Sequence, residues 1–227
     1  MSTMKLDKQD STYVLTLTNG VRANTLTDDV LDEFHAALDQ IEADQGNAAL
    51  VLASDDPKFF SNGIDLDYIQ SKGMDYLFTR FVPRLDQLLL RVALLNLPTI
   101  ACLTGHAYAG GALLAAAFDF RTMRADRGFL CFPEVDLKLG LSPVMTEIIK
   151  LLPNEQARLE LVLTGRPMGG EEAAKRGIVD VAFSVDDLVP QTLEMAAKLA
   201  KKDRRTYAQI KHGFRAQLQG LVDSSRR

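Results

Sequence analysis

The chain has 227 residues, 47% of them hydrophobic, which is enough to fill one large core but short for two ordinary domains. Its 26 basic and 30 acidic residues leave a net charge of -4, so no broad cationic field exists to hold a nucleic-acid backbone. No apolar run reaches the roughly 18 to 20 residues of a membrane span, and the first ten residues are polar and mixed in charge, so neither a nucleic acid nor a membrane is expected as a partner.

Tyr13 to Leu17 alternates and is rich in β-formers, which predicts a strand ended at the turn dipeptide Asn19-Gly20. Thr27 is a candidate N-cap for a helix in which Val30, Phe34, Leu38 and Ile41 recur at helical spacing. Ala48 to Ala53 is short and continuously apolar, as a strand buried on both faces should be. Phe59 to Leu66 reads as a glycine-containing loop, and Met74 to Leu95 as one long amphipathic helix closed off by Pro98.

Thr99 to Leu103 is a second buried strand, and Gly105 starts a turn into a small-residue helix, Gly110 to Phe118. Short strands are expected at 121–124 and 128–132, followed by helical pattern with turns at Pro153, 165–170 and Gly177. The chain is therefore expected to be α/β, with a sheet-containing core over residues 1–183 and helices over 184–227. In that tail, apolar positions from Leu188 to Leu218 need a surface to cover, on the core or on a neighbouring subunit. Lys211, His212, Arg204, Arg205 and Arg215 read as a basic helix face, either solvated or in contact with phosphates.

Cys102 and Cys131 sit in apolar runs without CxxC spacing, which points to buried thiols and to no disulfide or zinc site. The C-terminal Ser225-Arg226-Arg227 is not a Ser-Lys-Leu address, leaving a cytoplasmic location as the expectation. Two glycine-bearing turns each follow a strand, Ser61 to Leu66 and Gly105 to Gly111. Neither has dinucleotide-binding GxGxxG spacing or a Walker GK[ST]. Backbone N–H groups at such turns can point outward and, converging, form an oxyanion hole.

Phe60-Ser61-Asn62-Gly63-Ile64-Asp65-Leu66, Gly105-His106-Ala107-Tyr108-Ala109-Gly110-Gly111 and Phe132-Pro133-Glu134 resemble, in order and spacing, the three motifs of the crotonase, or enoyl-CoA hydratase/isomerase, superfamily. Ala23-Asn24-Thr25-Leu26, Leu163 to Arg166 and Ala173 to Val179 extend the resemblance over roughly residues 5 to 200. It implies a ββα spiral core with C-terminal helices, an acyl-CoA thioester substrate, a homotrimer or hexamer, and no cofactor or metal apart from the coenzyme A of the substrate. The backbone N–H groups of Ile64 and Gly110 would hold the thioester oxygen. Ala23, with Ser61, Asn62, Gly63, Asp65 and Leu66, would line the CoA path.

The family's hydratases carry two glutamates, and here the first position is Leu113 and the second is Glu134. Hydration divides naturally between two carboxylates, whereas moving a double bond from the 3 to the 2-trans position needs one base that returns its proton. The expectation is an enoyl-CoA delta isomerase of unsaturated fatty acid β-oxidation, with Glu134 as proton shuttle and Leu113 in a dry acyl pocket with Phe132. Its alternatives are a hydratase, another acyl-CoA reaction of the superfamily, or a non-catalytic acyl-CoA-binding protein. Asp136 is a rival base if the segment stays extended, and His106 reads as structural.

Overall fold

The computed structural model describes residues 2–225, so Arg226 and Arg227 of the terminal tripeptide read above lie outside the described residues. The chain begins with a strand that its composition conceals. β1 (Met4–Gln9) pairs antiparallel with β2 (Thr12–Leu17), Met4 opposite Leu17. As an edge strand, β1 exposes Lys5 and Lys8 and buries Met4. Edge lysines discourage pairing with another chain, and the same charges mask the strand in the sequence.

Thr27 caps α1 (Asp28–Ala43) by accepting the Val30 N–H, and Leu31, Phe34, Leu38 and Ile41 form its buried stripe. β3 (Ala49–Ser54) is buried on both faces. The expected 59–66 loop holds β4 (Phe59–Ser61) and the start of α2 (Leu66–Lys72). The expected long helix forms: α3 (Met74–Tyr76), a π-helical turn over Leu77–Phe81 and α4 (Val82–Ala93) follow one another without a gap, and Gly73 separates them from α2. Leu77, Phe81, Leu85 and Leu88 are buried along it, so the apolar spacing runs on through the π-helical turn and hides it.

The chain continues through β5 (Thr99–Leu103), β6 (His106–Tyr108), α5 (Gly110–Ala117), β7 (Phe120–Arg124) and β8 (Phe129–Cys131). Then come α6 (Pro143–Ile149), α7 (Glu155–Thr164), β9 (Met168–Gly169), α8 (Gly170–Lys175) and β10 (Val181–Phe183). α9 (Val185–Leu199), α10 (Arg204–Phe214) and α11 (Ala216–Ser225) complete it. Among the described residues the strands form a six-stranded sheet, β1-β2-β3-β5-β7-β10, and a four-stranded sheet, β4-β6-β8-β9. Apart from the β1-β2 and β8-β9 pairs, all are parallel. The pairs β3-β4, β5-β6 and β7-β8 each put one strand in each sheet before the chain turns helical, which is the expected α/β spiral of ββα turns.

Strand alternation divides the core. Leu50 and Leu52 of β3 face α1, α4 and α5, while Ala49, Val51 and Ala53 face α9 together with Ile100 and Cys102. Each fully buried Leu or Val there contributes about 1.5 to 3 kcal/mol over an exposed one. Burial pushes the Cys102 and Cys131 thiols up to about 11, so both stay protonated at neutral pH.

The basic residues of α10 are a correction. Four of the five are neither solvated nor poised for phosphate, and Arg205 keeps the expected exposed position. Lys211 donates to Leu95 O and Leu97 O at 2.8 and 2.7 Å and pairs with Asp119 at 2.7 Å. His212 Nε2 meets Leu94 O at 2.8 Å, and Arg215 bonds Ala93 O and Asp119. A helix end leaves its last carbonyls without partners, and α10 turns its cations inward to supply the end of α4. Arg204 does the same for Asp44 O and Gly46 O. The outward face of α10 carries Ile210 and Phe214 beside Arg205 and Gln209, so composition misjudged where most of the cations lie.

Candidate active site

The site is built where the two sheets' strands give way to helices. After β4, Gly63 takes φ +79, and Leu26 N–H donates to Gly63 O at 2.8 Å while Asp65 N–H donates to Leu26 O at 3.0 Å. These two bonds leave the intervening Ile64 N–H directed elsewhere. After β6, Ala109 adopts φ 48 and ψ -119, a conformation that costs an ordinary residue about 1 to 3 kcal/mol. The Ala109 N–H is anchored on Cys131 O at 3.0 Å, and the Gly110 N–H follows at the start of α5. Among the described residues no partner takes the Ile64 or the Gly110 N–H.

The two loops touch. A Cβ built on Gly110 would lie 3.4 Å from Ile64 N, and one built on Gly63 would lie 2.7 Å from both Gly110 N and Tyr108 O. Gly63→Ala is therefore expected to force the Ile64 and Gly110 N–H groups apart. Shifts of those two amide resonances, with a melting curve to confirm folding, check this. Gly111 allows a second close approach, since a Cβ there would stand 2.2 Å from Ser61 O.

Beside the two N–H groups lies a cavity of about 190 Å³, walled by Ile64, Leu77, Leu113, Leu139 and Met145 and reached by Glu134. It is smaller than the roughly 300 to 1,000 Å³ of a typical ligand pocket, a size for an acyl segment rather than a whole CoA. Glu134 sits in a 3-10 turn, Pro133–Val135, that the Asp136 N–H closes on Pro133 O at 3.0 Å, while Glu134 O accepts the Leu139 N–H at 3.0 Å. Its Oε2 is buried without a hydrogen-bond partner, and burial raises the carboxyl above its ordinary value. A buried acceptor left bare costs free energy and is a mark of function.

Asp136 does not share this position. The turn takes it out of an extended path, leaving it exposed against Gly165. His106 lies among the rings of Phe59, Tyr108 and Phe129, at 5.9, 5.5 and 5.6 Å, with Nδ1 unpartnered, and burial lowers its pKa. Phe132 is fully buried behind the cavity rather than in its wall.

Around the first loop, Asn62 and Leu66 are exposed along the cavity rim, and Asp65 and Leu66 border an adjoining groove with Arg22. Ser61 is buried, its Oγ donating to Asn24 O at 2.8 Å, and Ala23 O accepts the Asn62 N–H at 3.0 Å. Asp65 caps α2 through the Tyr68 N–H at 2.9 Å and accepts from Thr25 Oγ1 and Arg22. Sequence reasoning passed over Asn24, which has φ 49 and whose side chain ties Asn19, Ser54 and Phe59 together. The signal for it was Asn itself, a residue that tolerates left-handed backbone.

Asp86 was missed too. One turn along α4 from the cavity residue Val82, it accepts from Ser142 Oγ at 2.8 Å, which in turn caps α6 at the Met145 N–H. Burial pushes its carboxyl up to about 6. Between the unfolded value near 4 and about 6, the folded state keeps a proton the unfolded chain has lost, so stability falls as pH rises through that window. Asp86→Asn keeps the hydrogen-bond acceptor and is expected to be neutral at pH 4. At pH 7.5 it should stabilise by about 1 to 2 kcal/mol, after allowance for the side chain's partial exposure. Denaturant titrations at the two pH values check it.

The sequence profile of the enoyl-CoA hydratase/isomerase family matches residues 7–226. The chain belongs to that family. Among relatives of this family member, enoyl-CoA delta isomerase 2, peroxisomal, of Arabidopsis thaliana is 34% identical over 96% of this chain and 94% of its own length. A probable enoyl-CoA hydratase of Bacillus subtilis is 30% identical over 92% of this chain and 81% of its own. The crystal structure of an enoyl-CoA hydratase/isomerase family protein from Pseudomonas syringae superposes with a TM-score of 0.88 at 26% identity, covering 98% of this chain and 94% of that one. No helix among the described residues is long and apolar enough to cross a membrane.

Proposed function

We propose that this family member is an enoyl-CoA delta isomerase that converts 3-enoyl-CoA to 2-trans-enoyl-CoA. The observation that carries the reading is Glu134, a half-buried carboxylate whose buried Oε2 has no hydrogen-bond partner, at an apolar cavity where Leu113 supplies no second acid. The 34% identity to a named delta isomerase supports it.

In this reading the thioester oxygen accepts from the Ile64 and Gly110 N–H groups, which polarises the carbonyl and acidifies the carbon beside it. Glu134 takes a proton from that carbon, C2, and the electron pair spreads into a dienolate whose oxygen the two donors stabilise. The carboxylic acid so formed returns the same proton at C4, leaving the double bond between C2 and C3. Dry surroundings strengthen the base by disfavouring its charge until the proton is taken. Nothing is consumed, and the coenzyme A enters and leaves as part of the substrate, so the reaction calls for no cofactor.

The proposal extends to β-oxidation of unsaturated fatty acids, to a homotrimer or hexamer, and to a cytoplasmic location. Exposed Leu159 and Leu163 on α7 offer apolar surface for assembly, and light scattering tests it. Two of the Arabidopsis relatives carry peroxisomal names, so a fluorescent fusion in the native cell is the test of location.

The deciding experiment offers 3-hexenoyl-CoA and crotonyl-CoA to the purified protein. Gain of conjugated absorbance from the first, without its loss from the second, is expected. Loss of crotonyl-CoA absorbance at a comparable rate would make the protein a hydratase, as the Bacillus relative's name suggests. Binding of both without turnover would leave an acyl-CoA-binding protein.

A further inference from the structure

Leu66, Leu77 and Phe78 all border the cavity, and all come from residues 66–81, a segment made of short pieces. α2 ends at Gly73, which takes φ +92 and where an added Cβ would meet nothing within 4 Å. Side-chain packing does not confine Gly73, which is held by its N–H on Ile69 O at 2.9 Å and by the Tyr76 N–H on its own O at 3.0 Å. α3 has three residues, and the π-helical turn joins it to α4. Such turns are uncommon and concentrate at functional sites. Leu66, Met74 and Phe78 are 58%, 55% and 54% exposed, so the outer part of the segment has little core of its own.

One carboxylate gathers these pieces. Asp28, at the buried start of α1, accepts at Oδ2 from the Tyr68 hydroxyl of α2 at 2.6 Å and from the Tyr76 hydroxyl of α3 at 2.5 Å. Its Oδ1 accepts from Arg84 of α4, which also reaches Asp32. Burial works to raise the Asp28 carboxyl, yet the two hydroxyls and the guanidinium outweigh it and hold the group below its ordinary value. Hydrogen bonds to a charged acceptor are the strong kind, and here two of them bridge the hinge at Gly73.

We propose that residues 66–81 form a hinged cover over the acyl cavity and that Asp28 is its latch, a positioning residue that holds the cover shut through Tyr68 and Tyr76. Shut, the cover brings Leu66, Leu77 and Phe78 against the acyl chain. Open, it gives the chain a way in from solvent. An acyl group favours the shut state because only there does it touch all three side chains. The occupant rests on the acyl-CoA reading above, whereas the latch itself is defined in the empty protein.

Hydrogen exchange on the full chain carrying Tyr68→Phe and Tyr76→Phe tests the two parts separately. Both substitutions keep the ring and remove only the hydroxyl. Without ligand, amides of 66–81 are expected to exchange roughly tenfold or more faster than in the parent, with α1 and β3 unchanged. Hexanoyl-CoA, a saturated thioester that cannot isomerise, should restore part of the protection. With 3-hexenoyl-CoA, KM should rise several-fold while kcat stays within about twofold. Unaltered exchange over 66–81, or an increase shared equally by α1 and β3, would overturn the latch. Faster exchange with KM unmoved would overturn its part in substrate entry. If hexanoyl-CoA protects no segment of the parent protein, the acyl-CoA occupant fails while the ligand-free comparison still decides the latch.

Discussion

Replacing Glu134 with Gln is expected to lower kcat for 3-hexenoyl-CoA by about 100- to 10,000-fold, the range a positioned general base contributes. Gln has nearly the shape of Glu, and its amide meets the same apolar surroundings, so the fold and the binding of hexanoyl-CoA should change little. The substitution removes an uncompensated buried charge, so the melting temperature should hold or rise rather than fall. The parent enzyme's pH profile carries a second consequence. Burial raises the Glu134 carboxyl, and the base must be ionised to accept a proton. The acid limb of kcat/KM should therefore lie above the roughly 4.3 of a free glutamate, and activity should climb as pH rises through it. Full isomerase activity in Glu134→Gln would move the proton transfer to another group.

The largest stability effect is expected at Asp119, which does not line the cavity. Its carboxylate pairs with Lys211 at 2.7 Å and Arg215 at 3.0 Å, and accepts from the Tyr207 hydroxyl at 2.9 Å and the Thr99 N–H at 3.0 Å. Burial lowers Lys211 to about 8 even with that partner present. Asp119→Asn keeps the shape and removes the charge, stranding two buried cations. We expect a loss of about 3 to 5 kcal/mol, which for a chain of this size is roughly 6 to 20 °C in Tm. Adding Lys211→Met should recover part of it, because one stranded charge is then gone. Calorimetry on the single and double variants checks both statements. A double variant no better than the single would mean that Lys211 matters for the Leu95 and Leu97 carbonyls more than for Asp119.

These two sites differ in how far the sequence announced them. Glu134 was legible because its neighbours are. Phe132 and Pro133 fix a short turn, and strand-glycine-helix punctuation at Gly63 and Gly110 marks where backbone donors can face outward. Buried parallel strands such as Ala49–Ser54 were legible as unbroken apolar runs. Asp119 was not, because the partners of a buried charge come from segments some 90 residues apart, and no local pattern records that distance. The π-helical turn escaped for the opposite reason, since the apolar repeat runs on through it. β1 escaped because an edge strand wears the charges of a loop.

α5 is also a record of what this scaffold permits. Its residues from Gly110 to Ala117 are all buried, nearly all of them glycine or alanine, and Leu113 is the side chain of that helix that borders the cavity. At Gly111 a longer residue would meet backbone, since an added Cβ already stands 2.2 Å from Ser61 O. Variation along this rail is thus funnelled to position 113, which faces the same space as Glu134. An acid at position 113 would enter the same space as Glu134, so one substitution is enough to place a second carboxyl beside the first.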